Sequence, residues 1–300
     1  MTGVPEHVGV LGGGRMGAGI AHAFLLAGSR VTVVERDDDA AAGALGRVRD
    51  AVAASIRRGT TDRTAAELES RLAADTEAAA FAGAGLVVEA VPEDLDLKID
   101  ALRRVERVVG ASAVLASNTS SISIDALADH LDRPSRFLGL HFFNPVPAST
   151  LVEVVHGTST ESDVVERAQA WVGALGKTAV VVRDAPGFAS SRLGVALGLE
   201  AIRMVADGVA SAEDIDAAMT LGYKHPVGPL RLTDLVGLDV RLGIAEYLAR
   251  ELGPRFEPPA LLRRMVAEGH LGRKTGRGFY VWDDDGTARP ATPAAVGGAR

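Results

Sequence analysis

Hydrophobic and polar positions alternate along this chain on two length scales. From residue 7 to about 183, short Val-rich runs of strand length are separated by longer, Ala-rich, charge-dotted stretches with helical spacing. The runs HVGVL (7–11), VTVVE (31–35), LVVEAV (86–91), AVLAS (113–117), RFLGLHF (136–142), LVEVVH (151–156) and TAVVVR (178–183) predict strands. Several are almost wholly apolar, as strands covered by helices on both faces should be. The rhythm therefore predicts an α/β fold with a doubly wound, mainly parallel sheet. After DAPGF (184–188) the Val-rich runs cease, and Leu193, Leu197, Ile202 and Val205 mark a helical stripe within 190–207. A further helix follows from SAEDIDAAMTLG, with Ser211 as its N-cap ahead of an acidic first turn. The expected organisation is an α/β domain over 1–186 and an all-helical C-terminal domain over 187–283, ending in GRKTGRGFYVW (272–282). A tail over 284–300, rich in Ala, Pro and Gly, is expected to be disordered. No internal repeat is visible.

Composition narrows the function more than the fold. A length of 300 residues with 47% hydrophobic positions suffices for two cores. With 39 acidic against 32 basic residues the net charge is −7, which repels polyanions and argues against nucleic acid or a membrane surface as a partner. Any phosphate must be gripped locally. Cysteine is absent, which excludes disulfides, thiolate nucleophiles and Cys-based metal sites and fits a cytoplasmic location. The stretch MGAGIAHAFLLAG after Arg15 imitates a signal-peptide core, yet HVGVLGGG before it reads as a strand plus a glycine turn. No apolar run approaches the ~18 residues that would suggest a membrane span. His7, His22, His130, His156 and His270 form no ligand-spaced cluster, so no metal is expected.

The glycine turn carries the first candidate chemistry. Gly12-x-Gly14-x-x-Gly17, with Arg15 and Met16 between the last two glycines, follows a strand and opens a helix. Gly12 permits the tight turn, Gly14 lets backbone approach a pyrophosphate, and Gly17 allows close helix–strand packing. The free N–H groups and positive end of the helix favour the anion. The second strand ends on schedule in Glu35, whose carboxylate can accept bonds from ribose hydroxyls and repels a 2′-phosphate. A Rossmann-type site for NAD is therefore predicted, with Arg36 the one neighbour that would instead suit NADP.

A nicotinamide enzyme needs a base for the alcohol proton, most often histidine. His141 falls at the C-terminal end of its strand, the edge where open α/β sheets collect ligands, and Glu153 returns on the next strand after a Pro-containing turn. From there Glu153 could fix the imidazole tautomer. The same spacing also fits a half-buried structural His beside a surface Glu.

The motifs VVEAVPEDLDLK, SNTSS, GLHFFNP, DAPGF, GLEAIRMVADGVAS, HPVGP and GRKTGRGFY, in this order over about residues 6–282, closely resemble the L-3-hydroxyacyl-CoA dehydrogenases, including the 3-hydroxybutyryl-CoA dehydrogenases. That resemblance implies an NAD-dependent exchange between 3-hydroxyacyl-CoA and 3-ketoacyl-CoA, with His141 as general base and Glu153 as its partner. It implies that Ser120 bonds the substrate oxygen and the catalytic His, that Asn144 is a supporting polar residue, and that Asn118 lies near the nicotinamide ribose. Glu93 and Lys98 match cofactor-contacting positions; taken alone they read as a helix start with a solvent-facing Lys. Ser55, Arg57 and Arg58 fall where the family contacts CoA, although a solvated helix face would look the same. A homodimer through the C-terminal domain is implied as well. The chain departs from the family at Ser191, where DAPGFASSRLG replaces an Asn near the substrate, and at Ser149 and Thr150 in VPASTLVEV. These changes leave the acyl group and its carrier open: a carrier-protein-bound hydroxyacyl group and a free sugar or hydroxy acid are the alternatives, and a dinucleotide-binding protein without turnover is a third. His225 and Lys274 read as turn residues, Asp234 and Asp239 as helix caps or pins.

Overall fold

A computed structural model describes residues 3–291. The chain divides into two units, one up to Phe188 and one from Ala189 onward.

The first unit is built on eight strands: β1 (His7–Leu11), β2 (Arg30–Val34), β3 (Leu72–Asp75), β4 (Leu86–Glu89), β5 (Val114–Ser117), β6 (Phe137–Phe142), β7 (Leu151–His156) and β8 (Thr178–Arg183). Its helices are α1 (Arg15–Leu26), α2 (Asp38–Arg57), α3 (Ala65–Glu69), α4 (Leu95–Glu106), α5 (Ile124–Ala128) and α6 (Ser162–Ala174). The strands form one sheet in the order β3-β2-β1-β4-β5-β6-β7-β8. Every pairing is parallel except β6 with β7. The doubly wound sheet is thus present, with its reversal of strand order between β1 and β4.

The period-2 alternation of the strands divides the core in two. Val8, Val10, Val31, Val33, Leu138, Leu140, Phe142, Val152 and Val154 face one side, packed with Ile20 and Phe24 of α1, Val48 of α2 and Trp171 of α6. Leu11, Val34, Val87, Leu115, Phe137 and Val155 face the other, with Leu102 and Val105 of α4 and Leu127 of α5. His141 and Glu153 share parity with Phe137 and Val155 and so belong to this second face. α2, α3 and α4 begin where sequence capping rules place them: the Asp37 side chain accepts from Ala40 N, Asp94 from Leu97 N, and Thr64 forms a capping box with Glu67.

β3 has no counterpart among the runs that predict strands. Its sequence, LAAD, lacks β-branched residues and lies half-exposed on the sheet edge, so pairing with β2 rather than local preference makes it a strand.

The second unit contains α7 (Ser190–Ala206), α8 (Ala212–Ala217), α9 (Pro229–Val236), α10 (Leu238–Leu252) and α11 (Ala260–Ala267), plus a hairpin of β9 (Tyr280–Trp282) and β10 (Ala288–Pro290). The helices enclose a core that includes Leu199, Ile202, Leu230, Leu248, Leu262 and Phe279. Two expectations need correction here. The buried stripe of α7 runs through Val195, Leu199 and Ile202, and Leu193 is 71% exposed. The segment after Asp283 is not irregular throughout: β10 pairs antiparallel with β9 because Asp234 gathers the chain before the turn. That carboxylate, buried, accepts from Phe279 N, Tyr280 N and Trp282 Nε1, all at 2.8–2.9 Å. It pins a hairpin rather than capping a helix. The part of the expected tail from 292 to 300 lies outside the described residues. Ser211 caps α8 as read, accepting from Asp214 N at 3.1 Å. Among the described residues, no helix is long and apolar enough to cross a membrane.

Candidate active site

At the end of β1 the chain turns through Gly12, with φ +90°, and Gly12 N donates to Val34 O at 2.8 Å. Only glycine adopts this conformation without strain. Gly17 passes directly over the turn, and a Cβ there would run into the Gly12 carbonyl oxygen. Gly14 differs from both: it heads α1 with no side chain capping the helix, and a Cβ on it would meet nothing within 4 Å. The result is a set of free N–H groups facing open space, which fits a pyrophosphate. Arg15 is exposed beside this opening and Met16 is half-buried against the core.

Glu35 stands at the end of β2 with both oxygens engaged. Oε1 accepts from Gly13 N at 2.8 Å and Oε2 from Arg36 N at 3.2 Å, so the carboxylate is held against the glycine turn. Arg36, the residue that would suit a 2′-phosphate, is 84% exposed and pairs with Asp37 at 2.9 Å. Neither the pattern nor the motif pointed to Arg47 of α2, whose Nε donates to Gly13 O at 2.8 Å.

His141 and Glu153 are direct partners across the antiparallel β6–β7 ladder. Nδ1 of His141 lies 2.8 Å from Glu153 Oε2, and both residues are buried, Glu153 to 1% exposure. Bonding to an ionised carboxylate here requires the proton on Nδ1, and in the neutral ring that leaves Nε2 as an acceptor. The ring is walled by Phe143 (centroids 4.4 Å apart) and by Phe188 (5.9 Å). Asn118 accepts from Phe142 N through Oδ1 at 2.9 Å, tying the end of β5 to the residue after the histidine.

A second buried network lies at the end of β4. Lys98 is buried to 1% and donates to Glu89 Oε1 at 2.7 Å; Glu89 also accepts from Val91 N and Ser117 Oγ. The solvent-facing lysine that the local pattern suggests is therefore corrected, because β4 brings a buried carboxylate under the first turn of α4. The sequence signal was Glu89, the lone charge within the apolar run LVVEAV. Lys98 also lies 3.3 Å from Glu93, whose Oε1 accepts from Thr119 Oγ1 and from the backbone of Ser120 and Ser121. Burial opposes the charge on Glu93, but the Lys98 ammonium and these bonds outweigh it and hold the carboxyl below its ordinary range. Ser120 donates its hydroxyl to Glu93 Oε1 at 3.3 Å, not to His141.

Two adjoining clefts lie on the surface of α1 and α2. One, of about 320 Å³, is lined by Arg15, Arg47, Asp50 and the turn from Asn144 to Pro147, where Asn144 is exposed. The other, of about 310 Å³, is lined by His22, Ser55, Arg58, Thr60, Pro147 and Lys177. The Ser55 hydroxyl is turned inward onto His22 Nε2 at 3.0 Å, and Arg57, though exposed, lines neither cleft. Burial first, then Arg58 and Lys177, lowers the His22 pKa to about 4. Lys177, also missed in the sequence, donates to the carbonyls of Val146 and Ser149 and so pins the β6–β7 turn. Ser191 is half-buried in the first turn of α7, in the second unit. Lys274 pairs with Asp239 at 2.6 Å.

The reversal of strand order, the open glycine turn and the acid ending β2 define a dinucleotide-dependent dehydrogenase fold. The chain matches the 3-hydroxyacyl-CoA dehydrogenase NAD binding domain over residues 7–185 and the C-terminal domain of the same family over residues 187–282. It belongs to the 3-hydroxyacyl-CoA dehydrogenase family and is an NAD-dependent oxidoreductase. A 3-hydroxybutyryl-CoA dehydrogenase of Mycobacterium tuberculosis is 42% identical over 286 residues, covering 94% of this chain and 100% of the relative. The mitochondrial hydroxyacyl-coenzyme A dehydrogenase of Homo sapiens is 38% identical over 292 residues, covering 93% and 92%. Among solved structures, (S)-3-hydroxybutyryl-CoA dehydrogenase PaaH1 from Ralstonia eutropha superposes with a TM-score of 0.88 at 39% identity, covering 93% of this chain and 100% of that one.

Proposed function

We propose that the chain interconverts a short-chain L-3-hydroxyacyl-CoA and the corresponding 3-ketoacyl-CoA, with His141 as acid and base and Glu153 as the carboxylate that orients it. The observation that carries this reading is the buried His141–Glu153 pair, in direct register at the strand ends where α/β sheets bind ligands. In the oxidative direction His141 Nε2 takes the proton of the 3-hydroxyl, and the imidazolium so formed is stabilised by the Glu153 carboxylate against Nδ1–H. NAD, when bound, supplies the acceptor for the hydride from C3. In reduction the same Nε2 returns the proton to the ketone oxygen. Gly12, Gly14, Gly17 and Glu35 hold the cofactor, flanked by Arg15 and Met16. Asn118 fixes the strand end that carries His141. Lys98 acts from beneath, through Glu93, on the Ser120 loop beside the substrate. Asn144, in the turn after β6, is the supporting polar residue of the catalytic group, and Arg58 faces the CoA moiety from the second cleft, with Ser55 on its floor. Arg57 is assigned to CoA contact and Ser191 to substrate binding on family position.

The relatives' names support a four-carbon acyl group, since the bacterial proteins are 3-hydroxybutyryl-CoA dehydrogenases. A homodimer through the second unit is part of the proposal. Its support is the set of exposed apolar side chains there, with Leu193 at 71%, Leu221 at 73% and Tyr223 at 75%. The test of function is a set of NADH-linked rates with acetoacetyl-CoA, a longer 3-ketoacyl-CoA and a free 3-oxo acid, each repeated with NADPH. Turnover is expected with the thioesters, fastest with acetoacetyl-CoA and with NADH. Turnover of the free acid alone would overturn the proposal.

A further inference from the structure

Arg47 touches the dinucleotide turn and lines the first cleft at once, a position that the resemblance assigns to no role. Its Nε is committed to Gly13 O, while its two terminal nitrogens have no hydrogen bond or ion pair among the described residues. Gly43, one turn earlier on α2, leaves room for the guanidinium: a Cβ there would come within 3.3 Å of Nη1. Arg15 lines the same cleft from the first turn of α1. Among the described residues Asp50 is the one acid lining the cleft, and it forms an ion pair with neither arginine. Two cations against one anion leave the cleft net positive on a protein whose overall charge is −7. A planar fork with one nitrogen anchored and two free suits a phosphate oxygen, because the anchored bond has already removed much of the side chain's freedom.

We propose that Arg47, with Arg15, binds a phosphate of the pantetheine-linked acyl carrier, making this cleft the determinant that separates phosphate-bearing thioesters from plain ones. The inference rests on the acyl-thioester reading above. The phosphate next to pantetheine is shared by CoA and by a phosphopantetheinylated carrier, whereas the nucleotide phosphates belong to CoA alone.

The test compares wild type with Arg47→Met on three acetoacetyl thioesters: CoA, 4′-phosphopantetheine and N-acetylcysteamine. The loss in kcat/KM on the CoA thioester is expected to exceed that on the N-acetylcysteamine thioester by about tenfold, the usual scale for one charged hydrogen bond, and to appear mainly in KM. A matching loss on the phosphopantetheine thioester assigns the pantetheine phosphate, and a loss confined to CoA assigns a nucleotide phosphate; both support the proposal. Equal loss on all three would overturn it, since Arg47 would then act only by holding Gly13. If wild type turns over none of the thioesters, the functional reading has failed. Calorimetric titration of CoA into wild type and Arg47→Met then decides the role of Arg47 separately, with equal affinities overturning it.

Discussion

A carboxylate and an ammonium buried to about 1% exposure need each other, because neither can recover its lost hydration alone. Glu89 and Lys98 therefore make a sharp prediction. Lys98→Met leaves Glu89 buried without its cation and is expected to lower stability by about 3–5 kcal/mol, read as a fall in denaturant midpoint. Adding Glu89→Gln should recover much of that loss. A single variant as stable as wild type would show that the pair is not what holds the end of β4. The lone charge of Glu89 in an apolar run was visible in the sequence, but its partner was not, because Lys98 stands four residues after an N-capping Asp and looks solvated. Burial of its Nζ depends on contacts nine residues away on another element. The glycines and Glu35 were legible because each obeys a local rule, a positive φ, a helix start or a strand end.

At the level of elements, the turn from Phe143 to Thr150 decides the site. Eight residues are too few for a parallel crossover, so β7 must return antiparallel, and the antiparallel ladder sets Glu153 opposite His141. A slip of one residue would turn Glu153 to the other face of the sheet. The strand runs and the turn length carried this much, but β3 and the β9–β10 hairpin were not legible, because pairing and a distant carboxylate create them. Asp234 is the test of the hairpin. Burial pushes its carboxyl up to about 6, against the bonds from Trp282, Phe279 and Tyr280. Asp234→Ala strips three donors of their acceptor and should raise hydrogen exchange at the Phe279 and Tyr280 amides by at least ~10-fold, the effect of losing roughly 1.4 kcal/mol of local protection. Unchanged exchange there would mean that strand pairing alone holds the hairpin.

Across the whole molecule, His22 ties stability to pH. Its folded pKa of about 4 lies below the ordinary 6.5, so the unfolded chain binds the proton more readily. This contribution is fully present above pH 6.5 and is lost as pH falls toward 4. The melting temperature should drop through that window, and His22→Gln should flatten the drop; an equally steep profile in the variant would assign it to other groups. Association is the other global property. Light scattering on the eluting protein is expected to give twice the mass of the 31.1 kDa chain, and a strict monomer would leave the apolar side chains of the second unit unexplained.

The measurement that bears most directly on the central claim is steady-state reduction of acetoacetyl-CoA by NADH, comparing wild type with His141→Ala and Glu153→Gln, with NADH affinity measured alongside. The His141–Glu153 account predicts that each variant loses at least ~10²-fold in kcat, the scale of a proton-transfer residue, while cofactor affinity stays within a few-fold. Variants turning over at rates near wild type would contradict it.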